Sequence, residues 1–132
     1  MNAFTIKNIF GNSTINTIMD RLYYEIALAL PDADLNTGMC LTGRAAVHLH
    51  AISAEACNNV IMLTNDADIY NFVQNILPSK MPNKGVVKFK ERTIFYFDGL
   101  VLEFWYQTES ITTVLRSGIY VQEYSEINPI LL

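Results

Sequence analysis

Apolar positions recur along this chain with two periods, and each switch of period marks an element. Ile15, Ile18, Met19, Leu22, Ile26 and Leu30 fall on one helical stripe, which Pro31 stops. Ser13 or Thr14 is placed to cap that helix by accepting from its first free amides. Asp20, Arg21 and Glu25 lie off the stripe, while residues 1–12 have no strong period and Gly11-Asn12 reads as a break. Residues 31–38, PDADLNTG, are turn-rich, and Asp32 and Asp34 there read as solvated loop acids. Then comes the unit around which the rest is organised. Residues 39–42 are a short apolar run, Gly43 breaks it, 44–52 are good helix formers and 59–64 form a second apolar run. Residues 66–77 close the unit with apolar positions at 69, 72, 73, 76 and 77, a helical period. The predicted order is strand, Gly turn, helix, strand, helix.

Side chains alternate along a strand, so Val60 and Met62 share one face of the second run and Ile61 and Leu63 the other. Both faces are apolar, which predicts a central strand covered by helices on each side. Asp66-Ala67-Asp68 spells a two-carboxylate pattern, but the stripe that follows puts it in the first turn of a helix. There Asn65 or Asp66 caps the amides and negative charge suits the positive helix end. After the loop PSKMPNKG come predicted strands at 86–90, 93–97 and 100–107, with Glu91-Arg92 joining the first two. Asp98-Gly99 carries the type I′ hairpin signature, which pairs Phe97 with Leu100 and Ile94 with Glu103. Glu103 then shares a face with Ile94, Tyr96, Val101 and Trp105, costly company for an unpaired carboxylate. Residues 110–116 are predicted as two helical turns with Ile111, Val114 and Leu115 inward, stopped by Gly118. Residues 119–124 follow as a final strand, broken by Glu126-Ile127-Asn128-Pro129. The closing Pro-Ile-Leu-Leu packs on the sheet or joins a partner. The pattern predicts one α+β (or α/β) domain, residues 1–132, with a mixed β-sheet flanked by helices.

Composition narrows the function classes. With 132 residues, 51% of them hydrophobic and 17% charged, the chain is large and apolar enough to bury a core without disulfides or metals. A net charge of −4, with nine Lys and Arg read as scattered, makes nonspecific nucleic-acid binding an unlikely role. No apolar run approaches a membrane span, so no membrane association is expected. The N-terminus has neither a secretory nor a transit pattern, and the cytoplasm is the default compartment. Cys40 and Cys57 read as reduced, packed thiols, and no Cys–His cluster has zinc spacing. His48 and His50, two apart on a helix, point to different faces and form no ligand pair.

The central unit resembles a known family. LTGRAAVHLH (41–50) looks like the first signature of the minimal, abortive-infection-type nucleotidyltransferases: an apolar strand, Gly-Gly, a small residue, Ala and an apolar helix. In that family a strand with Asp-apolar-Asp-apolar follows about a dozen residues later. Val60-Ile61-Met62-Leu63 stands in its place, so Val60 and Met62 replace the two metal-binding aspartates, and Arg44 replaces the second Gly. LVLEFWYQ (100–107) looks like the later strand that carries the third metal-binding carboxylate, at Glu103. The resemblance implies a nucleotidyltransferase topology whose metal site is removed, with no cofactor and with Glu103 left as a vestige. It also implies a phosphate-facing turn at Gly43 and Arg44. The bland alternative for Glu103 is an ion pair with Arg92, Arg44 or a lysine. Three functions follow. The first is a catalytically degenerate module that binds a protein partner, or a nucleotide without metal. The second is an active Mg-dependent transferase acting on a protein or RNA, with Asp66, Asp68 and Glu103 as metal ligands; it requires residues 66–69 to be strand. The third is a homo-oligomer subunit joined through the 130–132 tail. A toxin–antitoxin or phage-defence setting is implied by the resemblance alone.

Overall fold

The computed structural model describes residues 13–50 and 58–131. The readings made for residues 1–12, for the end of the helix past His50, for Cys57 and for Leu132 lie outside them. Among the described residues, three α-helices and one seven-stranded mixed sheet form the α+β fold that the alternating periods predict. Helix α1 (Ser13–Ala29) stops before Pro31, and Ile15, Met19, Leu22 and Ile26 of its stripe are buried. Glu25, expected off the stripe, is only 8% exposed, because Arg21 one turn earlier lies across it with Nε 2.7 Å from Oε2. A carboxylate leaving water needs such a partner.

The central unit appears in the predicted order. Strand β1 (Met39–Thr42) runs into helix α2 (Gly43–His50), and strand β2 (Asn59–Thr64) into helix α3 (Ala67–Asn75). A single 3-10 turn, Leu77–Ser79, leads to strands β3 (Gly85–Lys88), β4 (Arg92–Phe97) and β5 (Leu100–Tyr106). Strands β6 (Thr113–Arg116) and β7 (Ile119–Gln122) follow, and 3-10 turns at Tyr124–Glu126 and Pro129–Leu131 end the described chain. The strand order is β3-β4-β5-β2-β1-β7-β6, with β2–β5 and β1–β7 parallel and the other neighbours antiparallel.

Register decides which face each residue takes, because partners across a ladder point the same way. Leu41 pairs with Met62, Met62 with Phe104, and Val60 with Leu102, which pairs in turn with Phe95. These residues form one buried cluster with Ile15, Met19 and Leu22 of α1, Ala45, Ala46 and Leu49 of α2, and Ile69, Phe72 and Val73 of α3. The alternate positions make the second face. It is buried along β1 and β2, at Cys40, Thr42, Ile61 and Leu63, but open along β3 and β4, where Val87 and Tyr96 are each 41% exposed. The central strand β2 is therefore buried on both faces, as its apolar run predicts, while the β3–β4 wing is open on one.

Three expectations fail locally. Residues 113–116 are strand β6, not the second turn of a helix, and Leu115 is exposed rather than inward. Thr112, Thr113 and Val114 are β-branched and favour extended backbone. Ser117 and Gly118 both take positive φ (53° and 85°), the requirement of a type I′ hairpin turn, so the chain doubles back there. At Asp98-Gly99 only Gly99 has positive φ (69°), so that hairpin lacks the type I′ turn its sequence suggests, although Phe97 still pairs with Leu100. The last strand ends at Gln122, short of Tyr124. A buried Thr42–Gln122 hydrogen bond, Oγ1 to Oε1 2.6 Å, joins β7 to β1.

Cys40 is fully buried in β1, and burial, aided by the Glu126 carboxylate, pushes its thiol up to about 12. It is therefore neutral and shielded at pH 7. A Cys57→Ser variant is expected to react with a disulfide-exchange reagent only at the rate of its unfolding. Prompt reaction in the folded protein would contradict this placement.

Candidate functional site

Gly43 follows β1 directly and opens α2 with φ of 67°, a left-handed conformation that glycine adopts without a Cβ clash. Its neighbours leave little room: a Cβ there would lie 3.1 Å from Cδ1 of Ile61 and 3.3 Å from the carbonyl oxygen of Leu131. The C-terminal 3-10 turn is thus seated on the glycine, at the point where a phosphate would approach the start of α2. Arg44, next in the helix, is exposed. The predicted glycine turn between β1 and α2 is present, and the chain's own Leu131 lies against it.

Glu103 sits on the second face of the sheet, as the hairpin register predicts. It pairs across the ladders with Ile94 on β4 and with Ile61 on β2. The residues that share its face on β2 are therefore Ile61 and Leu63, whereas Val60 and Met62 point into the helical core. Val60 and Met62, placed by the resemblance where metal-binding aspartates would be, are on the opposite side from Glu103. Magnesium takes oxygen ligands, and neither pair supplies one. Glu103 also has partners of its own. Arg92 Nη1 lies 3.7 Å from its Oε1, and the Trp105 indole donates to the same oxygen at 3.1 Å. The side chains around Glu103 do not fit the two-metal chemistry that the active-transferase alternative requires. Among the described residues no group of three His, Cys, Asp or Glu is close enough to hold a metal ion.

Asp66 and Asp68 stand elsewhere. Asp66 is the N-cap of α3, its Oδ1 accepting from the amides of Asp68 at 2.9 Å and Ile69 at 3.2 Å, and Asp68 lies in the first helical turn. The strand conformation that a catalytic Asp-x-Asp needs is absent from this segment. Asp34 is exposed and closes the preceding loop, accepting from Asn36 and Thr37, which holds its carboxyl below the usual range. Its contribution to the loop is present above the unfolded-state value and is lost as pH falls through the lowered one. His50 meets the Gln122 carbonyl at 2.7 Å, while His48, half-buried, is on a different side of α2.

One constellation escaped the sequence reading. The Arg92 guanidinium lies over two rings, 4.8 Å from the centre of Phe89 and 5.1 Å from that of Trp105. Gln74 of α3 fixes the Phe89 backbone, donating to its carbonyl at 2.6 Å, and the Phe89 amide donates to the Arg92 carbonyl at 2.7 Å. The signal was available in part: Arg92 and Trp105 are register partners once Asp98-Gly99 is taken as a two-residue hairpin.

Among the described residues no helix is long and apolar enough to cross a membrane. No known family's sequence pattern matches the chain, and neither a curated protein nor a solved structure is significantly similar to it.

Proposed function

We propose that this chain is a non-catalytic binding module built on a nucleotidyltransferase-type strand, Gly turn and helix. It engages its partner without metal-assisted phosphoryl transfer. The observation that carries this reading is the composition of the face around Glu103. Two metal ions need several oxygens in one place, and here the carboxylate is surrounded by Ile61, Leu63 and Ile94 and paired with Arg92 and Trp105. Leu131 against Gly43 supports the same reading, since a nucleotide phosphate at the start of α2 would have to displace it. The transferase alternative finds no support in Asp66, whose carboxylate is engaged as the cap of α3.

Calorimetric titration of the four ribonucleoside triphosphates, each with and without Mg²⁺, tests the proposal. The expected result is no metal-dependent heat, and the same traces from Glu103→Gln. Mg²⁺-dependent binding that Glu103→Gln abolishes would overturn the reading and return the chain to the active transferases.

A further inference from the structure

Charge on this chain is uneven in a way that the net value of −4 conceals. Five of the nine Lys and Arg lie between Lys80 and Arg92, against one acid, Glu91. The structure places most of that stretch on edge strand β3 and its flanks. Lys84, Lys88 and Lys90 are exposed, and neither Lys88 nor Lys90 has an ion-pair partner among the described residues. Lys84 has a loose one, Asp98 at 3.8 Å, with both side chains largely in water.

Phe89 stands between the two lysines in sequence, with Lys88 across from Thr93 on the other side of the edge strand from Val87. Its backbone is held at both polar groups and the residue is 48% exposed. The ring heads a three-layer stack: Phe89, the Arg92 guanidinium, then the Trp105 indole. Glu103 touches both lower layers, accepting from the Trp105 indole and forming a 3.7 Å ion pair with Arg92. On the same side of the sheet, Val87 and Tyr96 extend an open apolar strip away from the stack.

We propose that this wing, residues 84–92 with Tyr96 and Trp105, binds single-stranded nucleic acid. A base continues the stack on the outer face of Phe89, and Lys88 and Lys90 hold the flanking phosphates. The proposal rests on reading the chain as a binding module and gives that module its partner. An apolar protein surface would cover Phe89, Val87 and Tyr96 but would leave Lys88 and Lys90 without a counter-charge. An acidic peptide would answer the lysines and leave the planar stack unused. A polyanion whose units are flat rings satisfies both, which is how single-strand grooves are built. A duplex hides its ring faces, and its dense charge meets a protein that is acidic outside this wing. A stack already ordered by Glu103 and Gln74 loses little side-chain entropy on binding.

The test is fluorescence anisotropy of the full chain with labelled oligo-U and oligo-dT of about 12 nucleotides, within the range of single-strand sites, starting near about 50 mM salt. Quenching of Trp105, the chain's one tryptophan, reports on the stack itself. Binding should weaken with salt. Lys88→Glu with Lys90→Glu should lower affinity more than about tenfold and flatten the log–log salt slope by about 1.4, given about 0.7 per phosphate released. Phe89→Ala should lower affinity about tenfold and leave the salt slope as it was. These positions are exposed, and circular dichroism checks that each variant is folded. No binding of either oligonucleotide would overturn the proposal. So would polyglutamate competing at equal charge concentration, or a duplex binding as well as the single strand with Phe89→Ala having no effect. Triphosphate titration reports on the module reading separately, so each idea fails by its own measurement.

Discussion

Met62→Asp is expected to unfold the protein at pH 7, whereas Met62→Leu leaves it folded with a loss under about 1.5 kcal/mol. Met62 is fully buried between Leu41 and Phe104, on the side of β2 that faces the helices. Removing the methionine from that site forfeits about 1.5–3 kcal/mol of burial. An unpaired carboxylate there adds a penalty of several kcal/mol. Together these approach the whole stability of an ordinary domain, about 5–15 kcal/mol. The sign of the pH effect follows from burial, which raises the carboxyl's folded-state pKa above its unfolded value of about 3.9. The variant's relative stability is then greatest below that unfolded value and falls as pH rises through the folded one. Thermal melts of variant and wild type at about pH 4 and pH 7 should show the gap narrowing in acid. An equal gap at both values would mean that shape, not charge, is responsible. A stably folded Met62→Asp at pH 7 would show that this face of β2 is open, and would place Val60 and Met62 in a site after all.

The second large effect is at Gly43. Gly43→Ala is expected to cost about 2–4 kcal/mol: about 1–2 for a Cβ in the left-handed region and about 1–2 for contact with Ile61 and the Leu131 carbonyl. Gly118 separates the two contributions. It also has positive φ, 85°, but a Cβ there meets nothing within 4 Å, so Gly118→Ala should carry the strain alone. Urea denaturation of both variants measures the difference. If the two losses are equal, the C-terminal turn does not press on the glycine in solution, and the start of α2 is accessible to a ligand.

What the sequence made legible was whatever a local period or a local bond determines. The α1 stripe, the strand–Gly–helix unit, the Asp66 cap and the pairing of Ile94 with Glu103 each depend on residues close together in the chain. The facing of β2 does not. With Val60, Ile61, Met62 and Leu63 all apolar, alternation carries no direction, and only the ladder to β5 shows which pair accompanies Glu103. Strand β6 was misread because Ile111, Val114 and Leu115 fit a short helical stripe as well as they fit a strand. The deciding residue was Ser117, whose positive φ makes the turn. The cations read as scattered along the chain, although five of the nine already fall within residues 80–92 of the sequence. Their significance comes from Trp105, which the β4–β5 hairpin brings beneath Arg92, and from Gln74, which reaches Phe89 from another element.

The strand order also has a consequence for assembly in time. Hairpins β4–β5 and β6–β7 close through two-residue turns, on a scale of about 1–10 μs. The parallel joins are another matter: β2 must find β5, and β1 must find β7, a join that includes the pairing of Leu41 with Val121 and the bond from Thr42 to Gln122, 80 residues away. Long-range pairing is slow because loop closure has to precede any contact that rewards it. Until β7 arrives, β1 presents a free, apolar edge, and the finished β6–β7 hairpin has nowhere else to dock. A β6–β7 hairpin from a second molecule fits that edge equally well. The misassembly this topology favours is therefore hairpin exchange between two copies during concentrated refolding.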